Sequence, residues 1–179
     1  HSAVPAELER LIDMAGTVDD LAEVRDRVLP LIVDRELLAS TAIALAGVAM
    51  IVRNYEEAAA LYDTAYIASG GSDHASLFAQ AQALLQTGSI TAAEQRARTV
   101  VAETADYELK RRAYALVARA LHMRGRPNDA ARLLATLSEL DAADLVEADT
   151  LLLESEVLAA LDDAAAKRAD EPIRQLERL

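Results

Sequence analysis

Between scattered Gly, Asn and Pro residues, apolar positions recur along this 179-residue chain every three to four places. That is the period of one helical face. The pattern predicts helices over 5–15, 18–29, 35–53, 55–69, 73–87, 90–104, 107–124, 127–139 and 144–161, and a last segment over 163–179. Pro172 would interrupt a continuous helix in that segment, so a restart near Asp170 is expected. Several boundaries have a local cause. Asn54 is placed to cap the helix beginning at Tyr55, and Glu57, three residues on, to complete a capping box. Gly70-Gly71 tolerates the positive φ that ends a helix. Pro127 suits a first helical turn, where its missing N–H costs nothing.

Short helices joined by tight turns imply antiparallel hairpins, and the hairpins repeat. Segments 39–72, 74–107 and 111–144 align on Ala58, Ala93 and Ala130, which are 35 and 37 residues apart. Ahead of each Ala comes a pair in register: Leu45-Ala46, Gln80-Ala81 and Val117-Ala118. Five residues before each Ala is a turn position, held by Arg53, Gly88 and Gly125. Four residues after it stand Tyr62, Ala97 and Leu134, and seven after it Ala65, Val100 and Leu137.

This pattern resembles the tetratricopeptide repeat (TPR), a helix–turn–helix of about 34 residues. Asn54-Tyr55-Glu56-Glu57-Ala58 with Tyr62 and Ala65 is the nearest match, followed by Gly125-Arg126-Pro127-Asn128-Asp129-Ala130. The chain departs from the family pattern in three ways. Ala42, Leu77 and Tyr114 stand at the signature Trp position, Ala replaces the small Gly after Leu, and the closing Pro is missing. The resemblance implies an all-α fold, a right-handed superhelix of antiparallel hairpins with about nine or ten helices. It implies one domain over 3–179, with residues 5–33 and 144–179 as atypical capping helices.

Composition agrees with helices throughout. Hydrophobic residues make up 53% and aromatics only 3%, with 6 Gly, 4 Pro and no Trp. Alanine, the best helix former, dominates, and strand-favouring β-branched and aromatic runs are scarce. The absence of Cys excludes disulfides and thiolate metal sites. No apolar run reaches the ~18 residues of a membrane span; the longest, Leu38 to Val52, contains Ser40 and Thr41. No membrane insertion is expected. The first residues, His1-Ser2, read as a tag remnant. A cytoplasmic location is favoured, and a periplasmic one stays open if a leader was removed. The Ala, Arg and Asp bias points to a bacterial source. A net charge of −12 opposes nucleic-acid binding, because phosphate repels an acidic surface.

No catalytic constellation is expected, and neither a cofactor nor a metal. His74 and His122 have no second His or Cys at ligand spacing. No phosphate loop or nucleophile elbow is present. The adjacent acids Asp19-Asp20, Glu56-Glu57 and Asp162-Asp163 fall at helix starts or turns, where carboxylates favour the positive dipole end and face water. All five Tyr have packing explanations.

In the resembled family, the first helix of each repeat lines a concave groove. Carried onto this chain at i, i+4, i+7 spacing, the groove residues are Ile43, Gly47 and Met50, then Phe78, Gln82 and Leu85, then Ala115, Arg119 and His122 with Arg112 one turn before them. One end is apolar and the other basic. Residues 96–132 hold 9 Lys and Arg against 4 acids, whereas the rest of the chain holds 9 against 26. Two alternatives stay open: Arg112 and Arg119 pair with this chain's own acids, or the repeat register is shifted by one residue and Ile43, Met50 and Phe78 are ordinary core. The chaperone-tail clamp of Lys and Asn known in the family is not matched, since Ile43 and Gly47 occupy those places.

The leading expectation is therefore a protein-interaction module, a scaffold or adaptor. Its partner would be a protein or peptide with apolar anchors and an acidic group. Self-association is the second reading, because residues 144–161 carry Leu151, Leu152, Leu153, Val157, Leu158 and Leu161. A regulatory or sensor domain of a larger protein is the third, and an enzyme the least favoured.

Overall fold

The first two hairpins close on the same three-residue device. In Val52-Arg53-Asn54, the Arg53 N–H donates to the Met50 carbonyl (3.2 Å) and the Asn54 N–H to the Ala49 carbonyl (2.8 Å). In Thr87-Gly88-Ser89, the Gly88 N–H donates to Leu85 (3.2 Å) and the Ser89 N–H to Leu84 (3.0 Å). A third turn repeats it, with the Gly125 N–H on His122 (2.9 Å) and the Arg126 N–H on Leu121 (3.0 Å). This paired closure satisfies helix-end carbonyls and requires a left-handed central residue. Arg53, Gly88 and Gly125 adopt φ of 60°, 81° and 71°. They are the three positions that stand five residues before the aligned alanines.

The computed structural model describes residues 18–138 and contains seven α-helices there, with no strand among the described residues. They are α1 (Val18–Val28), α2 (Arg35–Ile51), α3 (Tyr55–Ala68), α4 (His74–Gln86), α5 (Ile90–Glu103), α6 (Tyr107–Met123) and α7 (Pro127–Ser138), with a 3₁₀ turn at Leu29–Leu31. These bounds agree with the apolar periodicity to within two residues. The segments expected as helices over 5–15, 144–161 and 163–179, and the leucine-rich face that suggested a dimer, lie outside the described residues.

Helix starts follow from side-chain chemistry. Asp34 accepts from the Leu37 N–H (2.9 Å), Asp73 from Ser76 (3.1 Å) and Asp106 from Leu109 (3.1 Å). Each satisfies an N–H that the first turn leaves without a partner. Asn54 likewise accepts from the Glu57 N–H (3.4 Å). The other half of the expected capping box does not form. The Asn54 N–H already closes the preceding helix onto Ala49, and the Glu57 carboxylate turns to the Arg25 guanidinium of α1. Glu57 is therefore a nearly buried ion-pair partner (side chain 10% exposed) and not the water-facing acid expected of that position.

The aligned alanines Ala58, Ala93 and Ala130 are each 0% exposed, which places them at equivalent contact points. Ala42, Leu45, Ala46, Leu77, Ala81, Ala97 and Val100 are buried as well. Small side chains at these points let helix axes approach closely. The chain divides into two compact units, His1–Leu116 and Val117–Leu179. Within the first, α2 packs on α3, α3 on α4 and α4 on α5. Its core gathers Leu21, Val24 and Leu29 against Leu45, Ala49 and Leu61, with Tyr62 and Met50 packed at the edge. In the second, Val117, Ala118, Leu121, Ala130 and Leu134 are buried. Burial pushes the Tyr62 phenol above its ordinary range, because its charged form would lose hydration.

Two predictions follow from the turns and the core. Gly88→Ala should cost about 1 kcal/mol, since an L side chain in the left-handed region is strained. Arg53→Gly should gain about 0.5–1 kcal/mol, the relief of that strain less the entropy that glycine adds to the unfolded chain. Urea unfolding midpoints moving in opposite directions would bear this out; equal or reversed shifts would not. For Tyr62 the folded state holds the proton more tightly, so its contribution is complete below about pH 10 and lost as pH rises through the raised folded value. Tyr62→Phe should flatten the alkaline decline in unfolding midpoint, and an unchanged slope would contradict the assignment.

Candidate functional site

The first helices of the first two hairpins, α2 and α4, each bury one face and leave another open. On α2 the open strip contains Ser40, Ile43 and Ile51, with Gly47 and Met50 half-buried along it. Ile43 is 39% exposed and Ile51 80%. On α4 the open positions are Ala75, Gln82 and Gln86. Arg112 is exposed on α6, still within the first unit.

The nine residues expected in the groove divide by accessibility. Ile43, Gln82, Arg112 and Arg119 are exposed, and Gly47, Met50 and His122 are half-buried. Phe78 and Leu85 are buried, at 5% and 6% exposure, so neither ring nor side chain is offered broadly to a partner. The repeat register has not slipped, since the aligned alanines are all buried. The Arg112 guanidinium lies over the Phe78 ring, its carbon 4.9 Å from the centroid. Such a contact contributes about 0.5–1 kcal/mol at an exposed site. Arg119 and His122 belong to the second unit. Within it, the His122 Nδ1 is buried without a hydrogen-bond partner among the described residues.

The alternative reading of the arginines, pairing with the chain's own acids, holds for several others. Arg25 pairs with Glu57 and with Asp26, Arg96 with Asp63 (3.3 Å), Arg98 with Glu94 (2.9 Å) and Arg126 with Asp129 (2.8 Å). Among the described residues, Arg112 and Arg119 form no such pair.

Gly47 has no packing reason to be glycine. A Cβ built there meets nothing within 4 Å. A mid-helix glycine nevertheless costs about 0.5–1 kcal/mol relative to alanine. The residue leaves a shallow notch on the strip, between Ile43 one turn before and Met50-Ile51 one turn after.

A polar link that the apolar pattern did not reveal ties the hairpins together. Gln80, at 5% exposure, donates from Nε2 to Asp63 Oδ1 (3.0 Å), and Arg96 donates to the same oxygen (3.3 Å). The carboxylate of α3 thus bridges α4 and α5. The available signal was Gln80 itself, a polar residue standing where the aligned segments have Leu45 and Val117. Among the described residues, no group of three His, Asp or Glu could hold a metal, and no helix is long and apolar enough to cross a membrane.

No protein-family model matches the chain, and no curated protein matches it in sequence. Solved structures do. One, a point variant of a protein described as a kinesin light chain with nearly identical TPR-like repeats from Podosopora anserina, superposes with a TM-score of 0.66 at 16% identity, covering 96% of this chain and 95% of that one. A second structure of that protein gives 0.64 at 16% identity, covering 92% and 91%. At this identity the likeness is one of fold. The chain has an all-helical, TPR-like repeat fold.

The glycine notch yields a direct test of whether packing or an external constraint holds Gly47. Gly47→Ala should raise stability by about 0.5–1 kcal/mol. A loss of stability in urea unfolding would mean that the fold itself needs the glycine.

Proposed function

We propose that this chain is a protein-interaction module that binds a segment of another protein along the open faces of its first-in-hairpin helices. The observation that carries the reading is the open strip itself. Buried alanines lock the hairpins together, yet α2 and α4 keep Ile43, Ile51, Gln82 and Gln86 exposed beside an unfilled notch at Gly47. The TPR-like fold supports it, since stacked helical repeats present faces that recur from repeat to repeat. An apolar stretch at one end and a cationic group at the other suit a segment with apolar anchors and a carboxylate. In the second unit, Arg119 and His122 are proposed by themselves as partner contacts. The non-catalytic reading rests on the fold and on a strip that presents aliphatic and amide side chains.

The test uses a partner isolated from the native host and measured by calorimetric titration. Ile43→Asp, Gln82→Glu and Arg119→Glu should each weaken binding about tenfold or more, roughly 1.4 kcal/mol. Ile67→Asp should leave affinity unchanged, because that residue is exposed (66%) on the second helix of its hairpin. Helix content should be the same in all four variants. Full affinity in the first three, with loss in Ile67→Asp, would place the interface on the other helices.

A further inference from the structure

Phe78 and Arg112 are 34 residues apart and lie on different helices, yet the guanidinium lies over the ring, its carbon 4.9 Å from the centroid. The ring is buried and the arginine exposed. A guanidinium over an aromatic face keeps N–H groups available for a second partner. Arg25, Arg96, Arg98 and Arg126 each direct that edge at a carboxylate of this chain. Arg112 does not: among the described residues its one recorded interaction is with the Phe78 ring. Among the described residues, then, the ring favours this position of the side chain and no carboxylate occupies its N–H groups.

We infer that Arg112, placed over the Phe78 ring, is the seat for a carboxylate of the bound segment. Phe78 is then a positioning residue and not an apolar anchor. This inference rests on the interaction reading above and specifies the chemistry of one end of that surface. A planar guanidinium receives a carboxylate through two parallel N–H···O bonds, which fixes orientation as well as charge. Holding the fork in place before binding removes part of the ordering cost that a free arginine would pay. The occupant is an acidic segment of a partner protein, chosen by charge complementarity with a cation that has no carboxylate partner among the described residues. Lysine cannot substitute fully, because an ammonium neither stacks as a plane nor presents two parallel donors.

The experiment selects random dodecapeptides on the intact chain and then measures individual peptides against variants. The expected result is an enriched set with Asp or Glu at one fixed position. For those peptides, Arg112→Gln should weaken binding about tenfold or more. Changing the peptide's acid to its amide should do the same, and the two changes together should cost little more than either alone. Arg112→Lys should recover only part of the loss. Phe78→Leu keeps an apolar residue in the buried site and should weaken the same peptides several-fold, while peptides carrying the amide should not notice it. The Arg112 Nε–H resonance should shift on adding the acidic peptide and not its amide form. Additive losses in the cycle would overturn the assignment. So would enriched peptides without an acid that bind Arg112→Gln as tightly as the native chain, an outcome that leaves the interaction reading intact. Peptides insensitive to Ile43→Asp, Gln82→Glu and Arg112→Gln alike would overturn both.

Discussion

A single left-handed residue closes each of the described hairpins, and the rest of the architecture is positioned by it. At Arg53, Gly88 and Gly125 the backbone turns through positive φ, and paired hydrogen bonds end one helix as the next begins. The following helix then brings Ala58, Ala93 or Ala130 to full burial five residues later. Because the interval from turn to alanine is the same each time, the buried faces and the open faces recur in phase. A shift of one residue in any turn would rotate its helix by about 100° and bury what is now open.

That constraint explains what was legible in the sequence. Periodicity located the helices because most of their burial is aliphatic and regular. The turn positions were legible because glycine occupies two of the three, and the alanine register identified Arg53 as the third despite its poor fit to positive φ. Polar contacts across helices were not legible in the same way. Glu57 fits a capping box in sequence, but the N–H it would have met is already used by Ala49, and the carboxylate goes to Arg25 instead. Asp63 bridging Gln80 and Arg96 depends on three helices meeting, which no local window contains.

The candidate surface was legible as a set of positions and not as a set of roles. Ile43, Gln82 and Arg112 are open, as the first-helix stripe implied. Leu85 and Phe78 fall on the same stripe but are buried, and a side chain from a later helix lies over the Phe78 ring. The stripe contains residues at the border between the open and packed faces, and neighbouring helices decide which side each border residue joins. Gly47 gains meaning only from the structure, where the space beside it is empty.

Binding through the first-helix faces can be read directly by hydroxyl-radical footprinting of the chain with and without its partner. Ile43, Met50 and Arg112 should lose reactivity in the complex while Ile67 on the second helix keeps its own. Protection confined to Ile67 and its neighbours on α3, with Ile43 and Met50 as reactive as in the free chain, would contradict this surface as the site of recognition.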